Sequence, residues 1–254
     1  MRRKMVTFLA VVASAYLGLC GVLFFFQRSL IYFPQPRTIG SGATTITLPT
    51  EGGDVLVTAR PHSGPSALIY FGGNAEDVSS SLPGFSAAFP GHAIYLLHYR
   101  GYGGSSGTPS EAALFADAIA LFDKVHDEHE NVVAVGRSLG SGVAVHLASV
   151  RPVARLVLVT PYNSIQELAA LQFPWFPVRW LMRDKFESWR YAKDVAAPTL
   201  LVAAEHDEVI PRASTEALYG SFRTGVASLK VIAAAGHNTI SESPEYMPLL
   251  RGTP

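Results

Sequence analysis

Cysteine is almost missing from this chain of 254 residues. The single one, Cys20, lies inside a long apolar run, so the rest of the chain has no disulfide, no thiolate nucleophile and no cysteine-ligated metal. An excess of either charge is missing too. The 20 basic residues balance 20 acidic ones, which argues against a nucleic-acid surface or a polyanionic partner. There is no P-loop or zinc-finger spacing, no internal repeat and no low-complexity tract. The histidines His62, His92, His98, His126, His129 and His146 lack a carboxylate-rich spacing that would suggest zinc. No metal and no organic cofactor is expected. The length suits one substantial core and leaves little room for a second full domain, and nothing in the sequence bears on oligomeric state.

What is present begins with Met5 to Phe26, 22 uncharged residues in succession, preceded by Arg2, Arg3 and Lys4. As a helix this run would reach roughly 33 Å, enough to cross a hydrocarbon core. A cleaved signal peptide is the rival reading, but its apolar core should be shorter and stop at a small-residue site. Here Val22 to Phe26 carries the run past the weak candidate near Gly18 and Cys20. Leu19 is too large for a lipid-attachment signal before the cysteine. An uncleaved transmembrane anchor at 5–26, surrounded by membrane lipid, is therefore expected. The basic cluster before it outweighs Arg28 and Arg37 after it, which favours a cytoplasmic N-terminus with the domain on the other side. In a bacterium this would be a single-pass inner-membrane protein with a periplasmic domain.

Residues 27–42 mix prolines and glycines and read as a connector, leaving 43–254 as the domain. Strands are expected at Thr44–Leu48 and Asp54–Ala59, joined by a hairpin turn in PTEGG. Others follow at Ala67–Phe71, Ala93–Leu97, Val132–Val135, Leu156–Val159, Thr199–Ala203 and Leu229–Ile232. The later runs are continuously apolar, as in strands buried on both faces of a parallel sheet. Thr108-Pro109-Ser110-Glu111 reads as a capping box with Thr108 as the cap. Leu114, Phe115, Ala118, Ile119, Leu121 and Phe122 give the next helix its apolar face. Further helices are expected from Leu139, ahead of Tyr191, and over Ser214 to Phe222. The alternation predicts an α/β fold with a mostly parallel, eight-stranded sheet and helices on both faces. Residues 161–190 break the rhythm with Phe173, Trp175, Phe176, Trp180, Phe186 and Trp189. They read as helices packed on the sheet edge, as a small cap lining a substrate pocket, or as both.

Ser138 falls between the strand Val132–Val135 and the helix from Leu139, within Gly136-Arg137-Ser138-Leu139-Gly140. This is the G-x-S-x-G pattern in the strand–turn–helix setting that a nucleophile elbow requires. Gly136 and Gly140 relieve crowding at the strained turn, and Gly142 is expected to let the helix pack closely on the sheet. A serine nucleophile needs a base, and the base needs an acid to fix its tautomer. Asp207 follows one strand and His237 another, in the order serine, acid, histidine. Glu205 and Glu208 are neighbouring carboxylates, and His206 reads as a surface or structural neighbour. An oxyanion needs fixed donors. The backbone N–H of Leu139 is one candidate, and that of Asn74, in Phe71-Gly72-Gly73-Asn74, is the other. The glycine-rich loop His98 to Ser105 lacks the dinucleotide fingerprint and reads as rim scaffold, with Tyr99 or Tyr102 facing substrate.

The segments FGGNAEDV, YRGYGGSSGTPSE, VGRSLGSG and the terminal GHN together resemble the α/β-hydrolase superfamily, and more narrowly the Bem46-like membrane-anchored serine hydrolases. That resemblance implies the α/β-hydrolase fold, Ser138, Asp207 and His237 as a catalytic triad, Asn74 and Leu139 as oxyanion donors, and an N-terminal membrane helix. Such proteins usually have histidine where this chain has Gly72, which puts the rigidity of the oxyanion loop in question. The expected activity is hydrolysis of a small-molecule acyl substrate, a carboxylic ester in preference to a thioester or amide, through an acyl-enzyme. The aromatic residues 173, 175, 176 and 180 would favour an apolar acyl or aryl group. A catalytically silent binding protein at the membrane and an acyltransferase are the alternatives.

Overall fold

The computed structural model describes residues 1–38 and 43–252; the part of the connector at 39–42 and the last two residues lie outside the described residues. Helix α1 (Arg2–Phe26) is long and apolar enough to cross a membrane and runs on through a 3-10 turn, Gln27–Leu30. The strands are β1 (Thr44–Thr50), β2 (Gly53–Arg60), β3 (Ser66–Phe71), β4 (Ala93–Leu97), β5 (Asn131–Arg137), β6 (Arg155–Val159), β7 (Thr199–His206) and β8 (Ala227–Gly236). They form one sheet, ordered β1-β2-β4-β3-β5-β6-β7-β8. β1 pairs antiparallel with β2 and β2 with β4, while β3 to β8 are parallel. This is the expected mostly parallel, eight-stranded α/β-hydrolase sheet. The β1–β2 hairpin turns at Glu51-Gly52, with Thr50 opposite Gly53.

The helices are α2 (Leu82–Ala88), α3 (Glu111–His126), α4 (Leu139–Val150), α5 (Ile165–Gln172), α6 (Val178–Leu181), α7 (Ser188–Ala192), α8 (Arg212–Ser221) and α9 (Tyr246–Arg251). Alternate residues of each inner strand feed two separate cores. Ala67, Ile69 and Phe71 pack with side chains of α3, α4 and α8, whereas Leu68 and Tyr70 pack with those of α2 and α9. That two-sided burial explains the unbroken apolar runs.

Several local expectations change. Ser110, not Thr108, caps α3: its extended backbone brings Oγ to the Ala113 N–H at 3.2 Å, so the helix starts after the proline. β7 and β8 run several residues past their apolar stretches, because the backbone ladder continues to the pair His206–Gly236 where side chains become exposed. A Cβ on Gly142 would collide with the Tyr162 hydroxyl, so this glycine makes room for Tyr162 rather than for the sheet. Gly136 and Gly140 do serve the elbow, since Cβ atoms there would strike the Gly140 carbonyl and the Phe71 carbonyl respectively.

Candidate active site

The elbow at the end of β5 holds Ser138 at φ 50 and ψ −116, a conformation L residues rarely adopt. Its N–H donates to the Val159 carbonyl at 2.9 Å, and its own carbonyl accepts from the N–H and hydroxyl of Ser141. These bonds fix the side chain at the start of α4. Asp207 follows β7 directly, and its Oδ1 accepts from the N–H groups of Val209 at 3.0 Å and Ile210 at 2.7 Å. His237 follows β8, with its N–H donated to Glu208 Oε2 at 3.0 Å and its carbonyl accepting from Arg137 Nη2 at 3.2 Å.

Three strand ends thus deliver three side chains to one place. His237 Nδ1 lies 3.0 Å from both Asp207 carboxylate oxygens, and Nε2 lies 3.0 Å from Ser138 Oγ. A carboxylate only accepts, so Nδ1 must carry the proton, which leaves Nε2 of the neutral ring to accept from the serine. Burial by itself would raise the Asp207 carboxyl, but the bonds from His237, Ile210 and Val209 together hold it below its ordinary value. Glu208 is lowered by the His237 N–H, and its role is to pin that backbone. His206 is exposed and sits 3.8 Å from Glu205, outside the cluster.

The loop after β3 closes the other side, where Asn74 and Leu139 line the same cavity as Ser138 and His237. Its anchoring groups were not apparent in the sequence. Glu76 accepts from the Gly73 N–H at 2.8 Å, the Tyr70 hydroxyl at 2.8 Å and Arg137 Nη1 at 3.2 Å. Arg137 therefore bridges this loop to the histidine loop. The Asn74 carbonyl accepts from the Tyr102 hydroxyl at 2.6 Å and the Phe33 N–H at 3.0 Å, while Tyr99 donates to the Gly72 carbonyl at 2.8 Å. Tyr99 and Tyr102 are buried and brace the loop; they do not face the cavity as expected. The connector likewise does more than link: Ile31 and Tyr32 are buried, and the Ile31 carbonyl accepts from Asn74 Nδ2.

The cavity is about 740 Å³, within the range of small-molecule sites. Its walls are largely apolar and include Leu168, Phe173, Phe176 and Leu181 of the 161–190 segment. That segment thus lines the cavity onto which the serine opens. Trp175 and Trp180, expected beside the substrate, instead point outward, 84% and 88% exposed. Trp175 sits in the turn before Phe176 and Trp180 in α6 two residues after Val178, and it is Phe176 and Val178 that line the cavity.

The chain matches the sequence profile of the alpha/beta hydrolase fold over residues 67–186. It is 35% identical over 252 residues to an uncharacterized protein of Mycobacterium tuberculosis, covering 91% of this chain and 88% of that one. It is 27% identical over 230 residues to the bem46 protein of Schizosaccharomyces pombe, covering 79% and 76%. Among solved structures, an esterase of Pyrococcus furiosus superposes with a TM-score of 0.68 at 16% identity, over 87% of this chain and 95% of that one.

Proposed function

Because the chain belongs to the α/β-hydrolase fold family, we propose that it is a membrane-anchored serine hydrolase that cleaves carboxylic esters through an acyl-enzyme. One observation carries this reading: the unbroken hydrogen-bond line from Asp207 through His237 to Ser138, opening on an apolar cavity. Ser138 Oγ attacks the ester carbonyl carbon as His237 Nε2 takes the hydroxyl proton, and Asp207 stabilises the imidazolium. The carbonyl oxygen gains charge and is met by the N–H groups of Leu139 and Asn74. As the tetrahedral species collapses, the C–O bond to the alcohol breaks and Nε2 returns its proton to the leaving oxygen. Water then attacks the acyl-enzyme with the same histidine as base, freeing the acid and restoring Ser138.

Helix α1 supports the anchor, and the basic residues before it favour a cytoplasmic N-terminus, with the domain periplasmic in a bacterium. The domain then comprises 43–254, with 161–190 as its cap. A silent binding protein has no use for a strained serine aligned with a histidine, which favours the enzyme. The test is a fluorophosphonate probe on the full chain. It should label the wild type and not Ser138→Ala or His237→Ala, with a panel of acyl esters showing matching turnover. A folded wild type that neither labels nor turns over any ester would return weight to the binding reading.

A further inference from the structure

The N-terminal helix does not stand clear of the domain. Its side chains Cys20, Leu23 and Phe24 line the same cavity as Ser138 and His237. It is also fastened to the 161–190 segment at two levels. Near its end, Gln27 donates to the Leu181 carbonyl at 3.3 Å and accepts from the Arg183 N–H at 2.7 Å. Deeper along it, the Tyr16 hydroxyl donates to the Trp175 carbonyl at 2.9 Å, and the Tyr16 ring stacks on Phe176.

Those two levels are about eleven residues apart, or ~16 Å of helix. A hydrocarbon core is about 30 Å thick, so a spanning helix with Gln27 at the domain-side surface places Tyr16 close to the midplane. Whatever is bonded to Tyr16 goes with it. With α1 spanning in this way, residues 173–181 would lie in the leaflet beside the domain.

Their surface suits that place. Trp175, Trp180 and Leu171 are 84%, 88% and 71% exposed, and the Tyr16–Trp175 contact joins them to the apolar outer face of α1. A patch of this kind is a liability in water and a fit for lipid. Irregular backbone is tolerated at depth when its polar groups are bonded, as the Trp175 carbonyl is. Arg179 is the one charge between Leu171 and Met182, and its long stem lets the guanidinium reach the headgroups.

We propose that the anchor helix is one wall of the acyl-binding cavity, and that the substrate is a long-chain acyl ester taken laterally from the leaflet beside the domain. This deepens the serine-hydrolase reading and rests on it. The ester carbonyl sits at Ser138 while its chain lies along Leu23 and Phe24 on one side and Leu168 and Phe176 on the other. The chain leaving the helix also fixes the loop that carries Asn74, through the Ile31 and Phe33 backbone, so anchor and catalytic loop are joined.

The test uses the full chain in phosphatidylcholine vesicles, with a bilayer-resident ester (4-methylumbelliferyl oleate) and a water-soluble one (the butyrate). Leu23→Trp narrows the helix-side wall and should lower kcat/KM for the oleate at least about tenfold more than for the butyrate. Equal losses, or none, would overturn the wall. Independently of any variant's folding, Trp175 and Trp180 should be quenched by phosphatidylcholine brominated on its acyl chains, read against a Trp189→Phe background. Unquenched emission would overturn the membrane placement. If neither ester is cleaved and the probe leaves Ser138 unlabelled, the hydrolase reading fails, and the quenching still judges where the segment lies.

Discussion

The Glu76 carboxylate occupies the space that a side chain at residue 72 would need. A Cβ on Gly72 would stand 3.1 Å from the Glu76 carboxyl carbon and 2.5 Å from Cγ1 of Val78. The chain has a glycine here, and Val78 and the Glu76 carboxylate take up the room from downstream. The carboxylate then ties the Gly73 N–H, Tyr70 and Arg137 into one cluster.

Removing that carboxylate should loosen the Asn74 amide. Glu76→Ala is expected to lower kcat by about ten- to a hundredfold, with KM changing less, because the donor acts mainly on the transition state. Gly72→His should not repair the loop. It meets Val78 and Glu76 and should destabilise the fold by about 1–3 kcal/mol. Steady-state kinetics on a short ester and thermal melts check both. An unchanged kcat in a folded Glu76→Ala protein would remove Glu76 from this role.

The elbow stores strain that glycine would release. Ser138 at φ 50 costs on the order of 1–3 kcal/mol, against about 0.5–1 kcal/mol for the greater unfolded-state freedom of glycine. Ser138→Gly should thus be inactive yet about 1 kcal/mol more stable than Ser138→Ala, seen as a higher Tm. Equal melting points would mean that the turn is unstrained.

Stability should fall on mild acidification. Burial pushes His98 down from 6.5 to about 4, and its Nε2 lies 2.8 Å from the Thr58 hydroxyl. Between those values the unfolded chain binds the proton and the folded chain does not, so stability is lost as pH drops from 6.5 towards 4, by at most ~3 kcal/mol. Burial also lowers His92 and His146, so His98→Gln should flatten this slope without abolishing it. Asp207, held below 3.8, loses its contribution only at lower pH. Denaturant melts across this range provide the measurement, and an unaltered slope in His98→Gln would acquit that residue.

The sheet was legible because buried strands must be apolar, and the candidate serine because G-x-S-x-G needs a strand before it and a helix after it. Ser138, His237 and Asp207 come together as their strand ends imply. What escaped is what depends on contacts between segments distant in the chain. Nothing around Glu76 announces a loop brace until Arg137 and Tyr70 fold against it. Tyr99 and Tyr102 looked like rim residues, since a tyrosine beside glycines carries no sign of where its hydroxyl goes. The 161–190 segment was ambiguous for a similar reason: Phe176 and Trp175 are adjacent and equally apolar, and only the fold sends one inward and the other out.

The clamp between the end of α1 and the domain gives the last prediction. The buried Asp184 carboxylate accepts from Arg28 Nε at 2.8 Å and from the Tyr32 hydroxyl at 3.1 Å. Burial, with Asp184 adding to it, pushes the Tyr32 hydroxyl far above its ordinary value, so it stays a donor at every working pH. Arg28 is 40% exposed, which screens the ion pair, and its coupling should be about 1 kcal/mol rather than that of a fully buried pair. A double-mutant cycle with Arg28→Gln and Asp184→Asn, melted as the full chain in vesicles, should therefore be non-additive by about that amount. Because the same contact holds α1 against 161–190, both single variants should also lose oleate turnover in preference to butyrate. Additive melts together with unaltered chain-length preference would mean that the helix is held by Tyr16 and Gln27 alone.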